Sequence, residues 1–444
     1  MMKKYILLYV LFAAVLLPAC TKKTDLLFPE PVDVRLEKAL QAYHSALMQA
    51  PGWKLFVYPK GLQSQGIEVG GLTYYVSFAD SNRVKMVSDF VIDMASTPKE
   101  SGYRIKASQR PSLIFDTYSY IHVAADPDPN VSFSPTQAGG YGWGTDFDFS
   151  FTKAEPGDTL FLEGNYNNSD AYLIPATQEE MDAAFNGQLA HILQVTSDYS
   201  SNNPFLFFPS AENAKIGVSF NLFLYRINFT YLSGDALATI SAPFSHTTYG
   251  LHFKNPVTIG GYTFQDLYYD EATDEYYIDA GGKIYITNSD APLFPFQNVI
   301  GKSITTISVP TTPLPGQSAE FADVYAQIKD NLINSPYELT LSNMDFVFDD
   351  ESKLMALLVN VQQNGLNFVA QYVYSYTLND ANIATFNLIG ENGNASLVEG
   401  EMSPLLNYLN NDVFKLDYYT GATPVLGQFI SQDHPGFSFT GNLQ

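Results

Sequence analysis

The sequence predicts a mainly β, α+β fold: antiparallel sheets forming sandwich- or barrel-like domains, with a few amphipathic helices. Three observations carry this expectation. Short apolar-aromatic runs with a period of two recur along most of the chain, as strands with one buried face require. Turn clusters such as Gly70-Gly71, Ala79-Asp80-Ser81-Asn82 and Pro156-Gly157-Asp158 separate those runs without helices between them, which favours hairpins and antiparallel pairing. Aromatic residues make up 14% of the 444, with 30 Tyr and 32 Phe, and these residue types suit a pleated, half-buried surface.

The chain opens with Lys3 and Lys4, an apolar run over 6–17, and then Leu17-Pro18-Ala19-Cys20, which holds the only cysteine. A basic start, a short apolar core and small residues before a cleavage point make residues 1–19 a secretory signal. The run is too short to span about 30 Å of hydrocarbon as a stable helix. The lone cysteine after it resembles a bacterial lipobox, in which the thiol is acylated and becomes the new N-terminus. Pro18 stands where Ala or Ser is usual. Residues 20–32 read as a tether. Thr21, rather than Asp, after the cysteine points to the outer membrane of a Gram-negative cell. Lys22 and Lys23 stand where surface-exported lipoproteins often carry acids, so the periplasmic and the cell-surface face both stay open.

A first helix follows, with Asp33 as its cap and Leu36, Leu40, Tyr43 and Leu47 as its apolar stripe; Pro51-Gly52 stops it. Strands are expected over 53–58, 72–78, 84–91, 113–118, 147–151 and 159–162. A second helix begins at the capping box Thr177-Gln178-Glu179-Glu180 and carries Met181, Phe185, Leu189 and Ile192 on one face. Strands resume over 216–231 and 249–253, and 268–278 reads as a hairpin with Asp270 to Glu275 as its loop. A third helix starts near Ser318 with the stripe Phe321, Val324, Ile328 and Leu332. A short fourth is expected at Ser403-Pro404, with Pro in the first turn.

The main helices start near residues 33, 177 and 318, a spacing of about 140, so each could open one helix-plus-sheet unit. Side chains give thin support for a repeat: 49–55 parallels 334–339, and the hairpin 78–84 parallels 348–354. The expected organisation is a large β-rich region over 33–308, divisible into 33–176 and 177–308. A Pro-rich linker over 309–317 and a C-terminal α+β domain over 318–444 follow.

Asp plus Glu number 46 against 23 Lys plus Arg, for a formal charge of −23. Such a surface repels nucleic acid and anionic headgroups. With Cys20 acylated, the mature body has no thiol for disulfides or thiolate metal sites.

Motifs for chemistry are sparse. His44, His122, His191, His246, His252 and His434 form no HExxH; His246 and His252 on one strand would stand about 20 Å apart. No GxSxG elbow occurs. Gly301-Lys302-Ser303 ends like a phosphate-binding loop, but Phe296 occupies the place of its first glycine. The glycines around Tyr141 and Trp143 miss the GxGxxG register. Asp146 and Asp148 would share a strand face about 7 Å apart, compatible with acid-base glycoside chemistry; the plainer reading is a solvent face opposite buried Phe147, Phe149 and Phe151. Asp126-Pro127-Asp128-Pro129-Asn130 reads as a rigid turn rather than a calcium loop. Trp53, Trp143, Tyr141 and the tyrosines around Tyr268 are candidates for a stacking platform, with Trp143 favoured because its glycine neighbours suit an exposed loop. No catalytic residue, metal or cofactor is expected.

Several stretches together resemble a known family: Ala50-Pro51-Gly52-Trp53, Leu113-Ile114-Phe115-Asp116-Thr117-Tyr118, His122, Gly144-Thr145-Asp146-Phe147-Asp148-Phe149 and Asp158 to Gly164. Thr248 to Phe253, Pro256 to Gly261 and Phe439-Thr440-Gly441 also suit it. The family is the "domain of unknown function 4302" group of outer-membrane lipoproteins. Its members tend to be encoded beside starch-utilisation-type transporters. The resemblance therefore implies a lipid anchor, a transporter complex as partner, a carbohydrate or peptide ligand, and a binding or accessory role in nutrient uptake. The family carries no established catalytic residues, so none transfer. The competing classes are an extracytoplasmic hydrolase of glycan or peptide and a structural or adhesive surface protein. A hydrolase should show convergent acids of split pKa, a binder an aromatic-lined groove, and a scaffold neither.

Overall fold

The computed structural model describes residues 30–107, 110–136, 140–153, 157–234 and 236–444; the signal, Cys20 and most of the tether lie outside them. Among the described residues the expected class takes a specific form. Three antiparallel sheets of eight strands each close on themselves as barrels, every one a meander whose last strand pairs with its first. Closure removes the exposed edges that so many short strands would otherwise present. The chain divides into two compact units, the first comprising residues 30–68 and 72–190 and the second 69–71 and 191–444. No helix among the described residues is long and apolar enough to cross a membrane.

The first unit holds one barrel: β1 (Gly52–Tyr58), β2 (Leu72–Ala79), β3 (Arg83–Ser88), β4 (Lys99–Ala107), β5 (Pro111–Phe115), β6 (Asp148–Phe151), β7 (Leu160–Gly164) and β8 (Asp170–Ala176). It closes where Trp53 on β1 faces Pro175 on β8. The helix Val32–Leu47 precedes it, and Tyr43 stacks on Phe151 of β6 with ring centroids 3.7 Å apart. Asp33 is not the cap. Pro31 holds that position without a side-chain hydrogen bond, and Asp33 sits in the first turn, where an acid complements the helix dipole.

The second helix starts as its capping box dictates, with Thr177 Oγ1 accepting from the Glu180 N–H and Glu180 Oε2 accepting from the Thr177 N–H. It does not run through. Gln178–Phe185 ends at Asn186-Gly187, and Gln188–Asn202 begins anew. Gly187 has φ +95°, a conformation that ends a helix and that only glycine adopts without strain.

Two barrels make up the second unit. The first of them runs β9 (Leu206–Pro209), β10 (Lys215–Asn221), β11 (Arg226–Ser233), β12 (Ala236–Thr247), β13 (Gly250–Ile259), β14 (Tyr262–Asp270), β15 (Glu275–Asp279) and β16 (Lys283–Asn288), closing between β16 and β9. Phe208, Phe229, Phe253 and Phe264 meet in its core; each fully buried ring contributes about 1.5–3 kcal/mol. The expected hairpin is present, with Asp270 opposite Glu275.

The other barrel runs β17 (Thr306–Pro310), β18 (Thr340–Asp349), β19 (Leu354–Gln363), β20 (Leu366–Leu378), β21 (Ile383–Glu391), β22 (Val413–Tyr419), β23 (Leu426–Ser431) and β24 (Ser438–Leu443). β17 pairs with both β18 and β24, so the Pro-rich stretch 309–317 is no linker and 318 is no boundary. Val309 is fully buried, Pro310 ends the strand where a missing N–H costs little, and the Pro315 carbonyl accepts from Thr440 Oγ1 at 2.7 Å. The helix Ala319–Ile333 lies inside this barrel's sequence, between β17 and β18; it starts near Ser318 as expected, and Ser318 is its cap. The fourth helix is longer than expected. Glu399–Asn411 carries Pro404 in its interior, and Ser403 Oγ donates to the Gly400 carbonyl at 2.8 Å, replacing the bond that Pro404 cannot give.

Candidate functional site

Most of the residues picked from the sequence serve the framework. Trp53 is buried and its indole N–H donates to the Leu47 carbonyl at 2.9 Å. Trp143 is buried too, donating to the Ser132 carbonyl at 2.7 Å with its edge on Phe90. Its neighbouring glycines are there for close packing, not exposure. A Cβ on Gly142 would come within 2.6 Å of the Ala124 carbonyl oxygen, and one on Gly144 within 2.7 Å of Gly61 Cα. Tyr141 is exposed. Cys20 lies outside the described residues.

Asp146 and Asp148 do not form a pair facing solvent. Asp146 is buried and its carboxylate accepts from the N–H groups of Tyr166, Asn167 and Ser169 and from the Ser169 hydroxyl. Phe147 is the exposed member, and Asp148 accepts from Asn165 Nδ2 at 2.7 Å. The two family-like stretches meet here: the Phe115 N–H donates to the Phe147 carbonyl, and the His122 ring packs between Tyr118 and Phe147 at 5.5 and 4.4 Å. Burial pushes the His122 pKa down. The neutral ring donates from Nε2 to the Phe115 carbonyl and accepts at Nδ1 from the Ser119 N–H. Asp126 accepts from the Tyr118 hydroxyl and from the Asp128 N–H, as a rigid turn would.

His246 and His252 lie on adjacent strands rather than one, but at neighbouring register positions, His246 opposite Leu251 and Ser245 opposite His252. Successive positions face opposite sides of a sheet, so the two rings diverge. Among the described residues no three His, Cys, Asp or Glu come together as a metal site.

The tyrosines around Tyr268 do form an array. Tyr249, Tyr268, Tyr277 and Tyr285 stand on successive segments of the barrel wall with neighbouring centroids 5.3, 5.5 and 5.6 Å apart. Lys283 covers Tyr277 at 4.4 Å and pairs with Asp270 at 2.5 Å; the Tyr285 hydroxyl donates to the same carboxylate. Those two donors hold the Asp270 pKa down at about 2. Rings and charges satisfy one another across strands, which braces the sheet; all four tyrosines are half-buried.

A concave site lies elsewhere in the second unit. A cavity of about 630 Å³ lies between the β10–β12 wall of one barrel and the β22–β24 end of the other, walled by Phe205, Leu237, Leu293, Phe294, Tyr418 and Val425. Lys302, Ser303, Ser219 and the mutually hydrogen-bonded Thr230 and Thr239 are its polar members. Its position follows from a strap, Pro292-Leu293-Phe294-Pro295, between β16 and the short helix Phe296–Val299. Two prolines deny the strap both helix and ladder bonds. Gly217 on β10 lets it lie close, since a Cβ there would stand 3.2 Å from both Leu293 Cδ1 and Phe294 Cε2. Phe296 then anchors it edge-on against Tyr418 at 4.9 Å. Leu293 and Phe294 also wall a second cavity of about 640 Å³, lined by Ile216, Tyr231, Ile240 and Lys215 on the same barrel. Sequence reasoning missed this site. The available signal was the strap, an apolar pair fenced by prolines outside every period-two run.

A family model described as Domain of unknown function (DUF4302) matches residues 24–271, more than half of the chain. No curated protein matches it.

Proposed function

The chain belongs to the DUF4302 family, a domain of unknown function, and from that premise we propose that it is a non-catalytic ligand-binding lipoprotein. In this reading Cys20 is acylated and anchors it to the outer membrane, where it serves as a binding or accessory component of a nutrient-uptake system. The signal with its terminal cysteine supports the anchor. The binding role rests on one observation, the cavity between the two barrels of the second unit. Its volume suits a small-molecule site, and its walls are chiefly aliphatic and aromatic with a few placed polar groups. Among the described residues neither a carboxylate nor an imidazole lines it, so the site favours holding a ligand over general acid-base chemistry.

The test is a thermal-shift and calorimetric screen of oligosaccharides, peptides and amphiphiles against wild type and Val425→Trp, which fills the cavity. A ligand at a hundred times its Kd stabilises by about 2.7 kcal/mol, readily seen as a shift. Binding lost in the filled variant supports the reading; equal binding in both moves the site elsewhere. For the anchor, a radioactive fatty acid fed to cells should label wild type and not Cys20→Ser, and equal labelling would refute it.

A further inference from the structure

We infer that this cavity takes a monomeric anionic amphiphile, an aliphatic chain ending in a carboxylate or phosphate, with its head at Lys302. The inference rests on the binding role proposed above and names the class of ligand. Charge is the first argument. In a chain with 46 acids and 23 bases, a cavity wall drawn at random would carry acids. Among the described residues neither cavity along the strap is lined by Asp or Glu, and each has one lysine, Lys302 or Lys215.

The surroundings of Lys302 sharpen the point. Its Nζ stands 3.5 Å from Asp350 Oδ2, while the other oxygen of that carboxylate is taken by Lys353 at 2.5 Å. Two ammonium groups thus share one carboxylate, and Lys302, which makes the longer contact, is the one on the cavity wall. An anionic head would complete the set, with Ser303 beside it to donate a hydroxyl.

The walls favour methylenes over the alternatives. A sugar carries a hydroxyl on nearly every carbon and a peptide an amide at every residue. Against Leu237, Leu293, Phe294 and Val425 those groups would lose water without gaining partners, at a cost of about 1–3 kcal/mol each. Methylenes gain from the same walls. Leu293 and Phe294 also wall the second cavity, so a second apolar hollow lies on the far side of the strap.

The experiment titrates decanoate, decyl phosphate and decyltrimethylammonium, below their micellar concentrations, into the full mature chain carrying Cys20→Ser so that no detergent is needed. Both anions should bind, and the cation about tenfold more weakly. Octanoate should bind about tenfold more weakly than decanoate, from two lost methylenes. Lys302→Met should erase the preference between head charges while retaining the chain-length effect. Val425→Trp, or Leu237→Trp on the more exposed hairpin wall, should abolish binding, with folding checked by circular dichroism. A cation that binds as well as the anions would overturn the assignment of Lys302. Binding of an oligosaccharide or peptide that the filled variants lose, with decanoate inert, would overturn the ligand class and leave the binding role standing. If no probe and no member of the screen responds to filling the cavity, both readings fall.

Discussion

Asp146 organises the turn between β7 and β8, because three backbone N–H groups and one hydroxyl converge on its buried carboxylate. Gly164 is cut to fit it: a Cβ there would lie 2.0 Å from Asp146 Oδ2. Asp146→Ala strands those donors and should cost about 3 kcal/mol by denaturant unfolding. Gly164→Ala should also destabilise, through overpacking. The two together should cost less than their sum, since removing the carboxylate makes room for the methyl; strict additivity would mean the pair does not act as one site. Two histidines offer a pH test of opposite signs. Burial holds the folded pKa of His122 below about 6.5, so its contribution to stability is full above that pH and fades as pH falls through the folded value. Asp412 accepts from His434 Nδ1 and raises its pKa, with Glu320 and Asp433 adding to the effect. Its contribution is full below about 6.5 and is lost as pH rises through the folded value. An NMR titration should place the His122 midpoint below 6.5 and the His434 midpoint above it.

Elements were legible wherever one side-chain period decided them. The stripe Phe321, Val324, Ile328 and Leu332 marks the helix Ala319–Ile333, which starts one residue after Ser318, and alternation marks β1, β2 and β3. Where backbone conformation decides, the side chains are silent: the stripe through Met181 and Leu189 runs straight across Gly187. Closure was also beyond alternation, which says which face is buried and not which distant strand supplies the partner. For the same reason the hairpins 78–84 and 348–354 look alike and do join the second and third strands of their barrels. The likeness of 49–55 to 334–339 is different, since the former enters a first strand and the latter a second. The cavity was illegible because Phe205, Phe294 and Val425 are ordinary apolar residues until folding gathers them. The stretch 309–317 gives the sharpest test at this scale. Its pairing in β17 and its hydrogen bonds to β24 should protect it, so brief proteolysis of the native chain should leave it intact. A fragment beginning or ending there would restore it as a linker.

At the scale of the whole molecule, each of the two units has its own closed barrel core, and a chain built so should not unfold as a single two-state block. The two barrels of the second unit are different. The strap and the helix after it join them, with Gly217 under Leu293 and Phe294 and with Phe296 against Tyr418, so they should melt together. Calorimetry of the full chain should therefore resolve two transitions rather than one or three. Variants assign them. Phe429 is fully buried among Phe346, Phe414 and Phe439, and Phe429→Ala should cost about 3–5 kcal/mol, lowering one transition, while Asp146→Ala lowers the other. With a formal charge of −23, moderate salt should raise both midpoints by screening self-repulsion. If Phe429→Ala lowers both transitions equally, the units are energetically one block, and the division drawn from their separate cores does not describe how the protein unfolds.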